Sequence, residues 1–438
     1  MKKVLATILA LVMAIGLCSV SWATESGLPA AENGVIKLTG NATTTALQND
    51  ITYDLNGHTL TYSGPTHVVA EGKTLTFMDS SVTGNARGGT LVLSGVTGTK
   101  AAINPQKGAT LKVSNIKVTC TGSAFFPQGD AAKVDVTACD VTASVYCVGT
   151  NAGRTNNYNV EITLKDSTFV ANATDGDNCA VMINVPGTLN IDNCTITGDR
   201  QAVLVRAGIA EITNSDIKTT GRFNGASTKY HSEAWRDGNE VPAAALTVGN
   251  YQNGPASAYL AEAKVTVTNT KLTAENGVPA IYTDANDTYK GDLTIGGDST
   301  VVTGEVMKGQ KADKPVIAVT GGTFSSDVSN FVDSAPVASN NGTYYVGAET
   351  IQNAANTLSA GQQLKIEKGT VTINGNTVTA GTSYTVPSRY YYYQPTTDTK
   401  ANDTKGSPKT FDAGIALYVG MALTSAAGVA FVGKKRED

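Results

Sequence analysis

The octets LNIDNCTI (residues 189–196) and AEITNSDI (residues 210–217) decide the fold of this chain. In both, apolar residues stand at positions one, three and eight, and a small or polar residue stands at position six. The alternation at positions one and three is typical of a β-strand with one face in the core. The break before position eight shifts this alternation, as a tight corner does. Each octet therefore predicts a strand, a corner and the start of a second strand.

The same octet recurs along the middle of the chain, which indicates an internal repeat. Copies begin at Tyr53, Leu75, Leu111, Val134, Ile162, Leu189, Ala210, Val265 and Ile317, with a looser copy at Leu293. A second short apolar run, such as CAVMINV or QAVLVRAG, follows most copies, so that one unit contains a strand, a corner, a strand and a loop. Most copies start about 21 to 28 residues apart, a length that fits one coil of a parallel β-solenoid. In the longer interval after Leu75, the run GTLVLSG predicts an extra strand.

A β-sandwich is the alternative architecture for so many short strands. Sandwich strands are joined by regular hairpin turns, but the clear hairpin signal, Asn374-Gly375, lies outside the repeat. The octets, the opening VIKLTGNATTTALQNDITYDLNGHTLT and the closing GGTFSSDVSNFV and NNGTYYV resemble the right-handed parallel β-helix (pectate-lyase-like) domains of Gram-positive surface proteins. The resemblance covers about residues 34–346. It implies an all-β domain over residues 24–346, with an insertion loop at 222–241, and says more about fold than about activity.

Residues 347–388 are expected to form a small α+β cap at the C-terminal end of this domain. The segment AETIQNAANTLS predicts a short helix, and QLKIEKG, TVTING and TVTAGTSYTV predict strands. An open solenoid end exposes unpaired backbone groups to other chains, so a terminal cap has a physical purpose.

The N-terminal segment 1–23 has the order of a signal peptide: MKK, an apolar run, and Ser21-Trp22-Ala23. We expect a signal helix that is removed by cleavage after Ala23. The five cysteines that remain are an odd number with no zinc spacing, which favours buried free thiols over a disulfide framework. They are Cys120, Cys139, Cys147, Cys179 and Cys194.

The C-terminal end contains a polar linker (389–406), the motif SPKTFD (407–412), a charge-free apolar span (413–433) and a charged tail (434–438). The span is long enough for a transmembrane helix, and the positive tail predicts a cytoplasmic end. This order resembles the sorting signals of sortase-anchored proteins. By that resemblance Ser407 is the first motif position, Pro408 the kink, Lys409 the free position and Thr410 the residue joined to peptidoglycan. Phe411 stands where glycine is usual.

The sorting signal implies a protein that is secreted and anchored to the cell wall on the extracellular face. Its partners would be a sortase, which joins Thr410 to peptidoglycan, and the membrane that holds the span. If Phe411 prevents cleavage, the protein is instead a single-pass membrane protein that faces outward.

Composition argues against a nucleic-acid partner, because the net charge is −4 and no Lys/Arg cluster occurs outside the termini. The motifs expected of β-helix hydrolases, Asn-Thr-Asp, Asp-Asp and Gly-His-Gly, are absent from the sequence. We therefore predict no catalytic residue, no cofactor and no metal site. His58 and His67 are single histidines without a matching carboxylate pair, and the Ser/Thr/Asn columns of the octets predict ladders and turns.

The insertion 222–241 has the highest concentration of groups that could hold a ligand: Tyr230, His231, Trp235 and Arg236. A long loop on a rigid shaft is a usual place for binding, and a tryptophan beside charged groups suits a sugar ring, so the insertion is the candidate site for a glycan or a host-surface ligand. The competing interpretation is a loop that buries its aromatic residues against the shaft. The predicted function is a structural or adhesive, glycan-binding role at the bacterial wall, and the alternative is a wall-attached polysaccharide lyase or glycoside hydrolase.

Overall fold

The computed structural model describes residues 28–150, 159–172, 178–222, 243–249, 262–285, 290–309 and 315–388. Within these ranges the regular secondary structure is nearly all β, with one α-helix and one short 3₁₀ helix. Successive strands pass from a first to a second and then to a third parallel sheet before the next coil begins. The predicted all-β repeat fold is confirmed at this level. None of the helices in the described ranges is long and apolar enough to cross a lipid bilayer.

The first two sheets run the length of the repeat. The strands of the first sheet are Val35–Lys37, Ile51–Asp54, Thr74–Met78, Thr110–Ser114, Lys133–Thr137, Val160–Lys165, Gly187–Asp192, Gly208–Thr213, Ala263–Thr268, Gly291–Gly296 and Val316–Val319. The parallel strands of the second sheet are Ala42–Thr44, Thr59–Tyr62, Thr90–Leu93, Lys117–Cys120, Asp140–Ala143, Thr168–Ala171, Thr195–Gly198, Asp216–Thr219, Lys271–Ala274, Val301–Thr303 and Gly322–Phe324.

The third sheet is divided into two parts. Its first part contains His67–Val69, Ala101–Pro105 and Ser123–Phe125, and its second part contains Cys179–Ile183, Gln201–Val205, Ala244–Val248, Ile281–Thr283 and Val306–Lys308. Single bridges from Val148 to Phe125 and Val181 connect the two parts.

Equivalent octet positions stack from coil to coil. Leu111, Val134, Ile162 and Leu189, all at position one, are successive register partners in the first sheet. All four are fully buried. Because neighbouring strands lie about 4.8 Å apart, this register builds a continuous apolar column, and the columns of the three sheets together form the core.

Position five of the octet makes the corner between the first and second sheets. Asn115, Asp166, Asn193, Asn214 and Asn269 occupy this position with φ between 50° and 59°. Asn and Asp tolerate this left-handed conformation better than other non-glycine residues. The chain can therefore turn sharply while positions three and eight both still point into the core.

Position six carries a hydrogen-bonded ladder inside the corner, as the Ser/Thr columns of the sequence predict. The Ser215 hydroxyl accepts a hydrogen bond from the N–H of Cys194 (3.1 Å) and donates one to the carbonyl of Thr213 (2.6 Å). In turn the N–H of Ser215 donates to Oγ1 of Thr270 on the next coil (3.3 Å). The ladder satisfies backbone groups that the corner removes from the sheets.

The corner that follows Leu75 departs from the octet pattern. Position eight of that copy is Val82, but the inward residues of the second-sheet strand are Leu91 and Leu93. The predicted strand over GTLVLSG is present as Thr90–Leu93, but it is this coil's own second-sheet strand and not an additional one. Residues 79–89 form a longer corner, which Asp79 closes by accepting hydrogen bonds from the backbone N–H groups of Gly57 and Gly89.

The second sheet continues beyond the repeat as an antiparallel sheet. After Gly322–Phe324 it adds Thr343–Val346, Val337–Asn340, Gln363–Lys368 and Ser383–Thr385, in that order. The remaining elements of this end are the 3₁₀ helix Ser329–Phe331, the α-helix Ala348–Thr357 and the hairpin of Thr370–Ile373 with Asn376–Thr379. Residues 347–388 therefore share a sheet with the repeat while burying a separate apolar cluster around Ile351 and Leu364.

Candidate functional site

The residues that the sequence singles out for binding and anchoring lie outside the described part of the chain. They are Ala23, Tyr230, His231, Trp235, Arg236, Ser407, Pro408, Lys409, Thr410 and Phe411. The span 413–433 also lies outside it. Their roles remain predictions, and the described residues define the place on the shaft where the insertion begins and ends.

The insertion leaves the shaft at the corner between the second and third sheets. Arg222 is the first residue of the insertion and the one residue of it that the structure describes, and its guanidinium Nη2 pairs with the Asp199 carboxylate. Oγ1 of Thr220 donates to the same carboxylate (2.7 Å), and the N–H of Asp199 donates to Oδ1 of Asn178 (2.8 Å). Asp199 is 8% exposed. This carboxylate therefore fastens the N-terminal end of the insertion to the preceding coil.

The outward face of the third sheet is apolar. Leu204 points outward between the core residues Val203 and Val205, and outward residues of neighbouring coils form one cluster with it. The other members of this cluster in the second part of the sheet are Cys179, Met182, Ala244 and Tyr282. All are buried, so both faces of these strands are covered, which is unusual for an outer sheet of a solenoid.

Two arginines stand at the ends of the strand Gln201–Val205 with their side chains almost completely buried. Arg200 is 0% exposed and Arg206 is 1% exposed, and each makes polar interactions. A buried guanidinium costs several kcal/mol unless it is paired and hydrogen-bonded. Neither arginine is among the residues predicted from the sequence for a site, although the run RQAVLVRAG places two charges around an apolar strand, which is a usable signal.

A buried carboxylate, Asp284, lies two coils further on. It follows the C-terminal end of its third-sheet strand, whereas Asp199 precedes the N-terminal end of its own. The Tyr282 hydroxyl donates to Oδ2 of Asp284 (2.8 Å), and the N–H of Ala285 donates to Oδ1 (2.9 Å). Asp284 is 6% exposed. A Cβ on Gly309 would lie 2.2 Å from the carboxylate carbon, so glycine is required at this position for the carboxylate to fit.

Asp199 and Asp284 do not form a catalytic pair. Val205 and Thr283 are in register through Val248, so Asp284 lies about seven strand residues from the level of Asp199. Seven residues of strand span roughly 20 Å. Paired carboxylates of glycoside hydrolases are about 5 to 9.5 Å apart. These two acids are therefore too far apart to act on one glycosidic bond.

Two further buried carboxylates, Asp54 and Asp79, have structural roles at the first corners. Burial alone would raise the pKa of Asp79, but hydrogen bonds from Ser81 and from the N–H groups of Gly57 and Gly89 outweigh this effect and lower it. The pKa of Asp54 is lowered in the same way, against the effect of burial, by Ser80 and other donors. Both carboxylates thus remain ionised as acceptors for corner backbone.

The two histidines among the described residues, His58 and His67, lie near the N-terminal end of the repeat. His67 lies beside Tyr62 in an edge-on arrangement with ring centroids 6.5 Å apart. Its Nε2 is buried without a hydrogen-bond partner, and burial lowers the pKa of the ring. His67 is therefore a neutral packing residue near the N-terminal end of the core, and His58 lies at the neighbouring corner between the first two sheets.

The five cysteines are free and buried, which confirms their prediction as packing residues. Burial raises the pKa of Cys120 and Cys194 to about 11 and that of Cys139 to about 12. Thiols with such values are almost entirely protonated at neutral pH and are poor nucleophiles and ligands. No group of three His, Cys, Asp or Glu side chains within the described ranges could hold a metal ion.

Among the described residues, the third sheet is distinctive for its buried outward face and for the buried Asp199, Arg200, Arg206 and Asp284 near the ends of its strands. Comparisons of the chain with protein-family models, with curated proteins and with solved structures find no match.

Proposed function

We propose that this chain is a secreted surface protein whose right-handed parallel β-helix is anchored to a bacterial cell wall, where it acts as a structural or glycan-binding element. Right-handed winding is supported by the strong preference of parallel β-crossovers for that hand. The parallel sheets and stacked octets are the features of the described residues that support a shaft.

The observation that carries the non-enzymatic role is the distribution of charge on the described surface. Several exposed charges are paired between neighbouring coils, as in Lys133–Glu161 (2.6 Å) and Lys271–Asp216 (3.5 Å). The buried acids Asp199 and Asp284 lie at opposite ends of the third-sheet strands. An acid–base enzyme needs groups that converge within hydrogen-bond reach of one substrate bond. The arrangement therefore favours binding or structural support over hydrolysis.

Anchoring rests on the order of SPKTFD, the apolar span and the positive tail. In this proposal the sortase thiol attacks the carbonyl carbon of Thr410, the bond to Phe411 breaks, and a wall-precursor amine then takes the acyl group from the enzyme. Pro408 orients the peptide, and Lys409 occupies the position that the enzyme does not read.

Mass spectrometry of cell-wall digests tests the anchoring. We expect a peptide that ends at Thr410 and is joined to a wall fragment in the wild type and in Lys409→Ala, but not in Thr410→Ala. Phe411→Gly should increase the wall-linked fraction. Recovery of the intact C-terminal tail from membranes alone, in every strain, would contradict the proposal.

Binding and turnover on a panel of soluble and insoluble glycans test the role. We expect retention on at least one glycan without new reducing ends or unsaturated products. Trp235→Ala should weaken retention, and Trp235→Phe, which keeps an aromatic ring, should largely preserve it. Release of shortened glycan by the wild type would support the lyase or hydrolase alternative instead.

A further inference from the structure

Among the described residues, the strand Ser383–Thr385 is at one edge of the longest sheet. Its one partner strand within them is Gln363–Lys368. From Thr382 to Val386, the bonds to that neighbour come from even-numbered residues: the carbonyl of Thr382 accepts from the N–H of Ile366 (2.8 Å), and the N–H of Val386 donates to the carbonyl of Gln362 (2.9 Å).

The backbone groups of Ser383 and Thr385 consequently point away from the sheet, because hydrogen bonding alternates sides along an antiparallel strand. Both residues are exposed, and among the described residues nothing pairs with this side of the strand. The strand itself is firmly held, since Tyr384 is buried and its hydroxyl accepts a hydrogen bond from Nδ2 of Asn374 (3.1 Å). A rigid edge of this kind readily accepts another strand.

The described chain ends at Ser388, only three residues beyond this edge, and the next residues include the run Tyr390–Tyr393. Tyrosine is among the residues that favour β-strands most strongly. Pro387 is suited to position i+1 of a type I turn, and four-residue hairpin loops are usually built around that turn. A loop over residues 386–389 would place Tyr390 opposite Thr385.

We infer that Tyr390–Tyr393 add an antiparallel strand to the edge Ser383–Thr385. In this register Tyr390 and Tyr392 bond to the outward groups of Thr385 and Ser383. The N–H groups of Tyr391 and Tyr393 point away from the sheet.

The added strand has two consequences for the protein. It covers an edge that would otherwise recruit another chain. It also shortens the tether between the folded domain and Thr410, from 22 residues or about 73 Å to 17 residues or about 56 Å at roughly 3.3 Å per residue. The inference does not depend on cleavage at Thr410.

Hydrogen exchange with single-residue resolution on the full-length chain in a mild detergent tests the inference. Tyr392→Pro removes an N–H that bonds to the edge, whereas Tyr393→Pro, the matched control, removes one that does not. We expect the amides of Ser383 and Thr385 to exchange at least tenfold more slowly in the wild type and in Tyr393→Pro than in Tyr392→Pro. The amide of Tyr384, which faces Gln363–Lys368, should exchange equally in all three.

Fast exchange at Ser383 and Thr385 in the wild type, or equal rates in Tyr392→Pro and Tyr393→Pro, would overturn the inference. Dilution of the wild-type protein tests whether the strand at this edge comes from the same chain or from a second copy. Protection that is unchanged on dilution supports the chain's own tail, and protection that disappears assigns the edge to a second copy and refutes the proposal.

Discussion

Substitution of Ser215 by alanine tests whether the corner ladder stabilises the repeat. Ser215 occupies position six of its octet and is 5% exposed. Its hydroxyl accepts the N–H of Cys194 (3.1 Å) and donates to the carbonyl of Thr213 (2.6 Å). Cys194 is also buried. The alanine variant leaves one buried donor and one carbonyl without these partners.

The expected loss follows from the unpaired N–H of Cys194. A buried donor that loses its only partner costs about 1–3 kcal/mol. The Thr213 carbonyl keeps its place in the sheet, and the loss of its hydrogen bond from Ser215 adds a smaller cost in free energy. We therefore expect Ser215→Ala to lower the free energy of unfolding by about 2 kcal/mol.

Ser215→Thr is the matched control. Thr270 and Thr300 occupy the same corner position in the next two coils, and the Thr270 hydroxyl donates to the carbonyl of Thr268 (3.0 Å) just as Ser215 does to its own neighbour. A threonine hydroxyl therefore fits this ladder, and Ser215→Thr should be destabilised clearly less than Ser215→Ala.

Guanidinium denaturation followed by far-ultraviolet circular dichroism measures both variants against the wild type. If Ser215→Ala unfolds at the wild-type midpoint, the ladder contributes no net stability. If Ser215→Thr is destabilised as much as Ser215→Ala, the effect comes from local repacking and not from the hydroxyl. Either result refutes the reasoning.

Three other substitutions probe the core and the buried titratable groups. Leu189→Ala should cost about 3–5 kcal/mol in denaturant unfolding, because this side chain is fully buried, and a loss below 1 kcal/mol would contradict continuous packing. Burial lowers the pKa of His67, so wild-type stability should fall as the pH drops below about 6.5, where the unfolded chain binds the proton. His67→Phe should reduce the slope of stability against pH between pH 7 and 5. An unchanged slope would exclude His67 as its source. The pKa of Asp79 is lowered in the folded protein, so its carboxylate stabilises the fold above about pH 4, and this stabilisation is lost as the pH falls through the folded pKa. Asp79→Asn should therefore lower the melting temperature at pH 7 and flatten the acid limb of thermal melts. Equal melting at pH 7 would argue against the role of this carboxylate.

Much of the repeat could be predicted from the octets. Positions one and three, as in Leu189 and Ile191, place alternate residues on one strand face, and this local periodicity is sufficient to identify strands and corners. The corner after Leu75 could not be placed in this way, because Val82 and Leu91 both fit an inward position. Only pairing with strands of neighbouring coils selects Leu91.

The burial of the outward face of the third sheet also could not be predicted from the sequence. In a solenoid the outward residues of a strand are expected to meet solvent, but Leu204 and Tyr282 are buried on that side. Arg200, Arg206 and Asp284 gain their significance from this burial, which depends on what packs over a strand and not on the strand's own residues.

The amino-acid sequence by itself determined the repeating strand and corner, the left-handed asparagine at position five and the hydroxyl or thiol at position six, because each of these depends on short-range backbone preferences and side-chain periodicity. The tertiary structure alone decided which segments pair across coils. It also decided that Thr90–Leu93 belongs to the coil begun by Leu75, and that Asp199 and Asp284 lie at opposite ends of the strands of one sheet. Those outcomes depend on register between residues 20 to 85 positions apart, and no local pattern encodes such distances.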